Sequence, residues 1–158
     1  MKIRIICVGK LKERFYTGAV AEFKKRLSRF CELEIVELAD ERVPDQPSEA
    51  DIERVKETEA KRIEEKLGGD CVIALDPRGK MLSSEELAST LSSVMLSGKS
   101  RISFVIGGSH GLTDGIRRRA DLVLSFSKLT FSHQIFRIML LEQVYRAFKI
   151  INGEPYHK

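Results

Sequence analysis

The chain has 158 residues, of which 42% are hydrophobic and 32% charged, and 27 Lys and Arg against 23 Asp and Glu leave a net charge of +4. That length fits one domain able to bury about 70% of its unfolded surface. The mild charge excludes a histone-like tail and permits a nucleic-acid partner without requiring one.

In chain order, Lys2–Val8 is a β-type run of Ile and Val, too short and too charged at its start for a signal peptide. Phe15, Ala19, Phe23, Leu27 and Phe30 recur at helical spacing, and Glu32–Leu38 reads as a strand. Asp40–Pro47, with Pro44 and Pro47, is a loop. Ser48, with Asp51 three residues on, caps a helix that runs to Leu67 and stops at Gly68-Gly69. Its apolar stripe is thin (Ile52, Val55, Ile63, Leu67), which predicts a surface helix. Cys71–Leu75 is a near-continuous apolar run of the kind found in buried parallel strands. Asp76–Lys80 reads as a turn, and Ser83 to Glu86 has capping-box spacing before a helix to Leu96. Ile102–Ile106 is a second buried strand, Asp114–Ala120 one or two helical turns, and Leu122–Leu124 a short strand. His133–Asn152 is a long helix, capped by Ser132 and apolar on more than one face, which suits either a core helix or a dimer interface. Strands alternating with helices predict one α/β domain over residues 1–158 with a mainly parallel sheet.

No apolar run approaches the roughly 20 residues that cross a bilayer. Cys7, Cys31 and Cys71 are isolated, and without a CxxC pair they argue against a zinc site or disulfide framework. They read as reduced, mostly buried thiols in a cytoplasmic protein, with no metal expected. The charge is unevenly placed. Residues 1–100 carry 18 basic and 19 acidic side chains, net −1, whereas residues 101–158 carry 9 and 4, net +5. The run Arg117–Arg119 is either a solvated helix face or an RNA contact.

Ligands of open α/β sheets bind beyond the carboxyl ends of the strands. Three such ends stand out: Leu75-Asp76, Gly107–Gly111 and Leu124–Phe131. A buried strand running into two glycines lets a ligand approach the backbone, because no Cβ intervenes. The chain has neither the P-loop pattern nor G-x-G-x-x-G after its first strand, which disfavours a nucleotide-hydrolysing or dinucleotide-binding domain. The hydroxyl-rich stretch Ser125–Ser132 offers polar groups that could hold a flat heteroaromatic ring.

Val105-Ile106-Gly107-Gly108-x-x-Gly111-Leu112, Leu124-Ser125-x-Ser127-x-Leu129-Thr130, Glu142-Gln143-Val144-Tyr145-Arg146-Ala147 and the terminal Pro155-Tyr156-His157-Lys158, in that order and spacing, resemble the RlmH family of small SPOUT-class RNA methyltransferases. The resemblance covers nearly the whole chain. It implies an α/β fold with a C-terminal trefoil knot, a topology no general folding rule would propose. It also implies a homodimer that uses S-adenosylmethionine to methylate N3 of a pseudouridine in 23S ribosomal RNA of the large subunit, on assembled ribosomes. By position, cofactor contacts would fall on Leu75, on Gly107 and Gly108, and on Leu124, Phe126, Ser127, Lys128, Leu129, Thr130 and Phe131.

N3 of a pseudouridine carries a proton that must leave before the nitrogen attacks well, and a cation near the ring oxygens favours the anion. Tyr156 and His157 are the candidate catalytic residues, with the tail of one chain reaching the cofactor of the other. The alternative for this tail is terminal disorder. His110 is a candidate base or a loop histidine at a variable position, His133 is expected to be structural, and Arg137 and Arg146 are expected to contact RNA or the second subunit. Two other functions remain open: a related enzyme acting on another RNA such as tRNA, and a non-enzymatic ribosome-binding module.

Overall fold

The computed structural model describes all 158 residues. Strands β1 (Lys2–Val8), β2 (Glu32–Leu38), β3 (Cys71–Met81), β4 (Arg101–Ile106) and β5 (Leu122–Ser125) form one sheet in the order β2-β1-β4-β3-β5. Every neighbouring pair in it is parallel. Helices α1 (Arg14–Leu27), α2 (Glu49–Leu67), α3 (Ser84–Leu96), α4 (Asp114–Arg119) and α5 (His133–Ile151) flank it. The α/β architecture expected from the alternation of strands and helices is the one observed. No helix is long and apolar enough to cross a membrane.

Side chains alternate across a strand, so each strand feeds two cores. Ile3, Ile5, Cys7, Ile73, Phe104 and Ile106 face a layer closed by α1, α3 and α5. Ile6, Val8, Val72, Ala74 and Val105 face the opposite layer, closed by α2 and α4. Both layers are needed because a parallel sheet exposes apolar residues on both faces. All three cysteines are buried free thiols, and burial pushes Cys7 and Cys31 up to about 11.

The caps follow the sequence. Ser48 with Asp51 and Ser83 with Glu86 form complete capping boxes, and the Ser132 hydroxyl accepts from the Ile135 amide at the start of α5. Three expectations need correction. The buried stripe of surface helix α2 differs from the predicted one: Ile52 is only half-buried, whereas Glu59 and Ala60 join Val55, Ile63 and Leu67 among its buried residues. Asp76–Lys80 does not end the strand. The Asp76 carboxylate accepts from the Arg78 amide in a local Asx turn, and β3 then rejoins β5 after a register shift between Leu75 and Lys80. Gly79 allows this, since a Cβ there would lie 2.6 Å from the Val123 carbonyl. Finally, Arg117 and Arg137, expected as surface cations, are both engaged in ion pairs within the chain. Arg117 pairs with Asp76 at 2.8 Å and with Asp114, and Arg119 donates to the Gly68 carbonyl. Arg137, 3% exposed, pairs with Glu37 at 2.6 Å.

One buried carboxylate locks the far end of the sheet. Asp70, 3% exposed, accepts from Ser103 Oγ at 2.6 Å and Arg4 at 3.0 Å, and Arg101 Nε lies 2.7 Å from its other oxygen. Burial works against its ionisation, but the Ser103 hydroxyl and the two arginines outweigh it and hold the carboxyl below its ordinary range. A depressed carboxylate stabilises the fold above its unfolded pKa, near 3.9, and loses that contribution as pH falls through the folded value. Asp70→Ala should therefore cost about 3–5 kcal/mol at pH 7, measured by urea unfolding, with the gap to wild type closing in acid below about pH 4. A gap that persists unchanged at pH 2.5 would rule out the charge as its cause.

Candidate functional site

The sheet brings the three predicted strand ends together. Leu75 of β3 stands in register with Ile106 of β4 and Leu124 of β5. The chain beyond each end turns outward around a cavity of about 180 Å³. Its wall includes Leu75, Gly107, Gly108, Leu124, Phe126, Ser127, Leu129, Thr130 and Phe131, which were picked out from the sequence. Lys128 is exposed, and alone in the Phe126–Phe131 run it is not part of the wall.

The glycine loop is shaped by close approach. A Cβ at Gly107 would fall 2.9 Å from Leu112 Cδ2 and 3.0 Å from the Gly111 carbonyl carbon. Gly111 has φ +83°, left-handed backbone open mainly to glycine, and its amide donates to the Gly108 carbonyl at 3.0 Å. The opposite wall is rigid through its own hydroxyls. Ser125 Oγ donates to the Ser127 carbonyl, and Ser127 Oγ accepts from the Leu129 amide, both at 3.0 Å. The hydroxyls of this stretch therefore tie the loop together, and one wall remains apolar while backbone polar groups edge the other.

Sequence reasoning missed Pro77, Ile106 and Phe136, which also line the cavity. Phe136 carried a legible signal. It is the fourth residue after the Ser132 cap, and Phe131 is the residue before that cap, the spacing of a hydrophobic staple. The two rings lie 6.5 Å apart and Phe126 is 4.9 Å from Phe136. His133 lines the same wall, and its pKa is lowered by burial and by Arg137. That keeps the imidazole neutral at pH 7, so the expected structural histidine is also a cavity residue.

Tyr156 and His157 do not reach this cavity within one chain. They dock on α5 and α3 instead. Tyr156 donates to Glu142 at 3.1 Å, sits edge-on to Tyr145, and lies under the Arg146 guanidinium at 4.7 Å. His157 accepts from Arg146 at Nδ1 (3.3 Å) and donates from Nε2 to Glu85 at 2.7 Å. Burial raises the Tyr156 pKa, and the Glu142 carboxylate adds to it, so the phenol stays protonated. The tail is thus ordered, and Arg146, expected to contact RNA or a partner, holds it in place. Beside it an open groove of about 650 Å³ runs along α5, walled by Phe23, Leu87, Phe126, Ile138 and Met139 among others.

The chain resembles known proteins along its whole length. Residues 1–157 match the family described as "Predicted SPOUT methyltransferase". Two curated relatives bear the name ribosomal RNA large subunit methyltransferase H. One, from Streptococcus equi subsp. zooepidemicus, is 54% identical, and the other, from Clostridium kluyveri, is 52% identical; each is aligned over 100% of both chains. Among solved structures, a probable methyltransferase from Bordetella pertussis Tohama I superposes with a TM-score of 0.56 at 18% identity, covering 94% of this chain and 95% of that one. A tRNA (m1G37) methyltransferase from Aquifex aeolicus gives 0.55 at 16% identity, covering 100% of this chain and 75% of that one. At such identities these two speak for the fold alone. The match over residues 1–157, together with the full-length relatives, shows that the chain belongs to the SPOUT methyltransferase family.

Proposed function

We propose that this protein transfers a methyl group from S-adenosylmethionine to N3 of a pseudouridine in 23S ribosomal RNA, acting as a homodimer on assembled ribosomes in the cytoplasm. The observation that carries the reading is the full-length identity of 52–54% to relatives named for large-subunit ribosomal RNA. The cavity at the strand ends supports the cofactor. Its apolar wall of Leu75, Leu124, Phe126 and Phe131 suits a flat ring, and the Gly107-Gly108 backbone, bare of Cβ, admits polar groups closely. Bound there, S-adenosylmethionine supplies an electrophilic methyl, so the protein needs no nucleophile of its own.

The chain's residues then have to position the RNA and dispose of the imide proton. Tyr156 and His157 meet that need only across a dimer, since neither lines the cavity of its own chain. The apolar groove along α5, next to the tail, supports the pairing of two copies. The protonated phenol of Tyr156 and the neighbouring Arg146 offer a donor and a cation to the oxygens of an anionic ring. Ribosomes from a strain lacking this gene, incubated with the protein and methyl-labelled S-adenosylmethionine, should carry label in 23S RNA. Cofactor binding without any transfer to ribosomes would refute the reading, and label appearing in tRNA would redirect it.

A further inference from the structure

Arg117 does not border the cavity at the strand ends, yet it bonds to two residues that do. Its Nη1 donates to Asp76 Oδ2 and to the Leu112 carbonyl, both at 2.8 Å. Asp76 stands where β3 leaves its pairing with β4, and Leu112 closes the glycine loop that follows β4. One nitrogen therefore ties together two wall segments that are distant in sequence.

Each bonded residue carries the constraint onward. Asp76 is 6% exposed, and its other oxygen accepts from the Arg78 amide at 2.9 Å. Its carboxylate thus fixes the turn that brings Pro77 to the cavity. Leu112 is buried, and its Cδ2 is the atom that a Cβ on Gly107 would meet first. Holding the Leu112 carbonyl holds the side chain packed against Gly107. Arg117 is itself well anchored. It follows the fully buried Ile116 on α4, whose start is capped by the Thr113 hydroxyl, and Arg119 bonds the same helix to the Gly68 carbonyl. Its second nitrogen, Nη2, pairs with Asp114, whose side chain is exposed. A charge-assisted bond between largely buried groups is stronger than a neutral one and fixes geometry as well.

We propose that Arg117 is a positioning residue for S-adenosylmethionine, clamping the exits of β3 and β4 so that the Gly107-Gly108 backbone is in place before the cofactor arrives. The inference rests on the cofactor site proposed above. A wall ordered in advance spares the ligand the entropic cost of ordering it. An arginine that only stiffened α4 would depend on Asp114, three residues earlier on that helix. An arginine that served RNA would depend on phosphates. Neither role needs Asp76 or Leu112.

Arg117→Ala should weaken S-adenosylmethionine binding at least tenfold by calorimetry, about 1.4 kcal/mol. In methyl transfer to ribosomes it should raise the cofactor KM to the same extent. The kcat at saturating cofactor should stay within threefold, and the KM for ribosomes should keep its value and its salt dependence. Arg117→Lys should recover cofactor affinity to within threefold, because both clamp bonds leave from one nitrogen that an ammonium can replace. Asp114→Ala removes the helix partner but leaves the clamp, and should bind the cofactor like the wild type. If Arg117→Ala does not fold, Arg117→Met, which keeps the packing of the stem and makes neither bond, takes its place with the same expected result. Unchanged cofactor binding in Arg117→Ala, with Gly107→Val abolishing it, overturns the clamp and spares the cavity. Unchanged binding in both variants, or none by the wild type, removes cavity and clamp together. Loss in Asp114→Ala equal to that in Arg117→Ala, or an effect confined to the KM for ribosomes, also overturns the clamp.

Discussion

Gly107→Val is expected to abolish S-adenosylmethionine binding while leaving the sheet intact. The Cβ alone would meet Leu112 Cδ2 at 2.9 Å and the Gly111 carbonyl carbon at 3.0 Å. Two further methyls would push the loop into the cavity it borders. Contacts below about 3.5 Å between carbons are repulsive, so the loop and the cofactor cannot both keep their places. Affinity should fall at least 100-fold by calorimetry, about 2.7 kcal/mol, with an unchanged circular dichroism spectrum. An unchanged dissociation constant would move the cofactor elsewhere.

Deleting Tyr156–Lys158 should have the opposite signature. Methyl transfer to ribosomes should drop below detection, while cofactor affinity stays within threefold. The tail lies on Glu142, Arg146 and Glu85, outside the cavity wall, so cofactor contacts are untouched. These tail contacts are partly exposed, and exposed pairs contribute about 0–1 kcal/mol each, so the melting temperature should move little. Mixing the truncated chain with a Gly107→Val chain should restore no more than half of wild-type activity, and only if tail and cavity come from different chains. Turnover near normal in the truncated protein would remove the tail from the reaction.

Much of the fold was legible because its elements announce themselves locally. Ser48 with Asp51, Ser83 with Glu86, and Ser132 start three helices where the residue types require. The apolar runs Cys71–Leu75 and Ile102–Ile106 are strands covered on both faces. What escaped was set by tertiary contacts. The continuation of β3 beyond Asp76 depends on Gly79 admitting the β5 backbone, which no local pattern encodes. Arg137 looked like a surface cation on an apolar helix, yet its partner Glu37 is 100 residues away in sequence.

The candidate cavity was legible for a related reason. Parallel strands place their carboxyl ends on one side, so three separate segments could be assigned to one cavity before any contact was known.

The most direct test of the proposed reaction is nucleoside mass spectrometry of ribosomal RNA. Ribosomes from a strain lacking the gene are treated with purified protein and S-adenosylmethionine, then digested. The expected result is one 3-methylpseudouridine per 23S RNA, absent without cofactor and absent from tRNA. Protein that binds S-adenosylmethionine yet leaves 23S RNA without that nucleoside would contradict it.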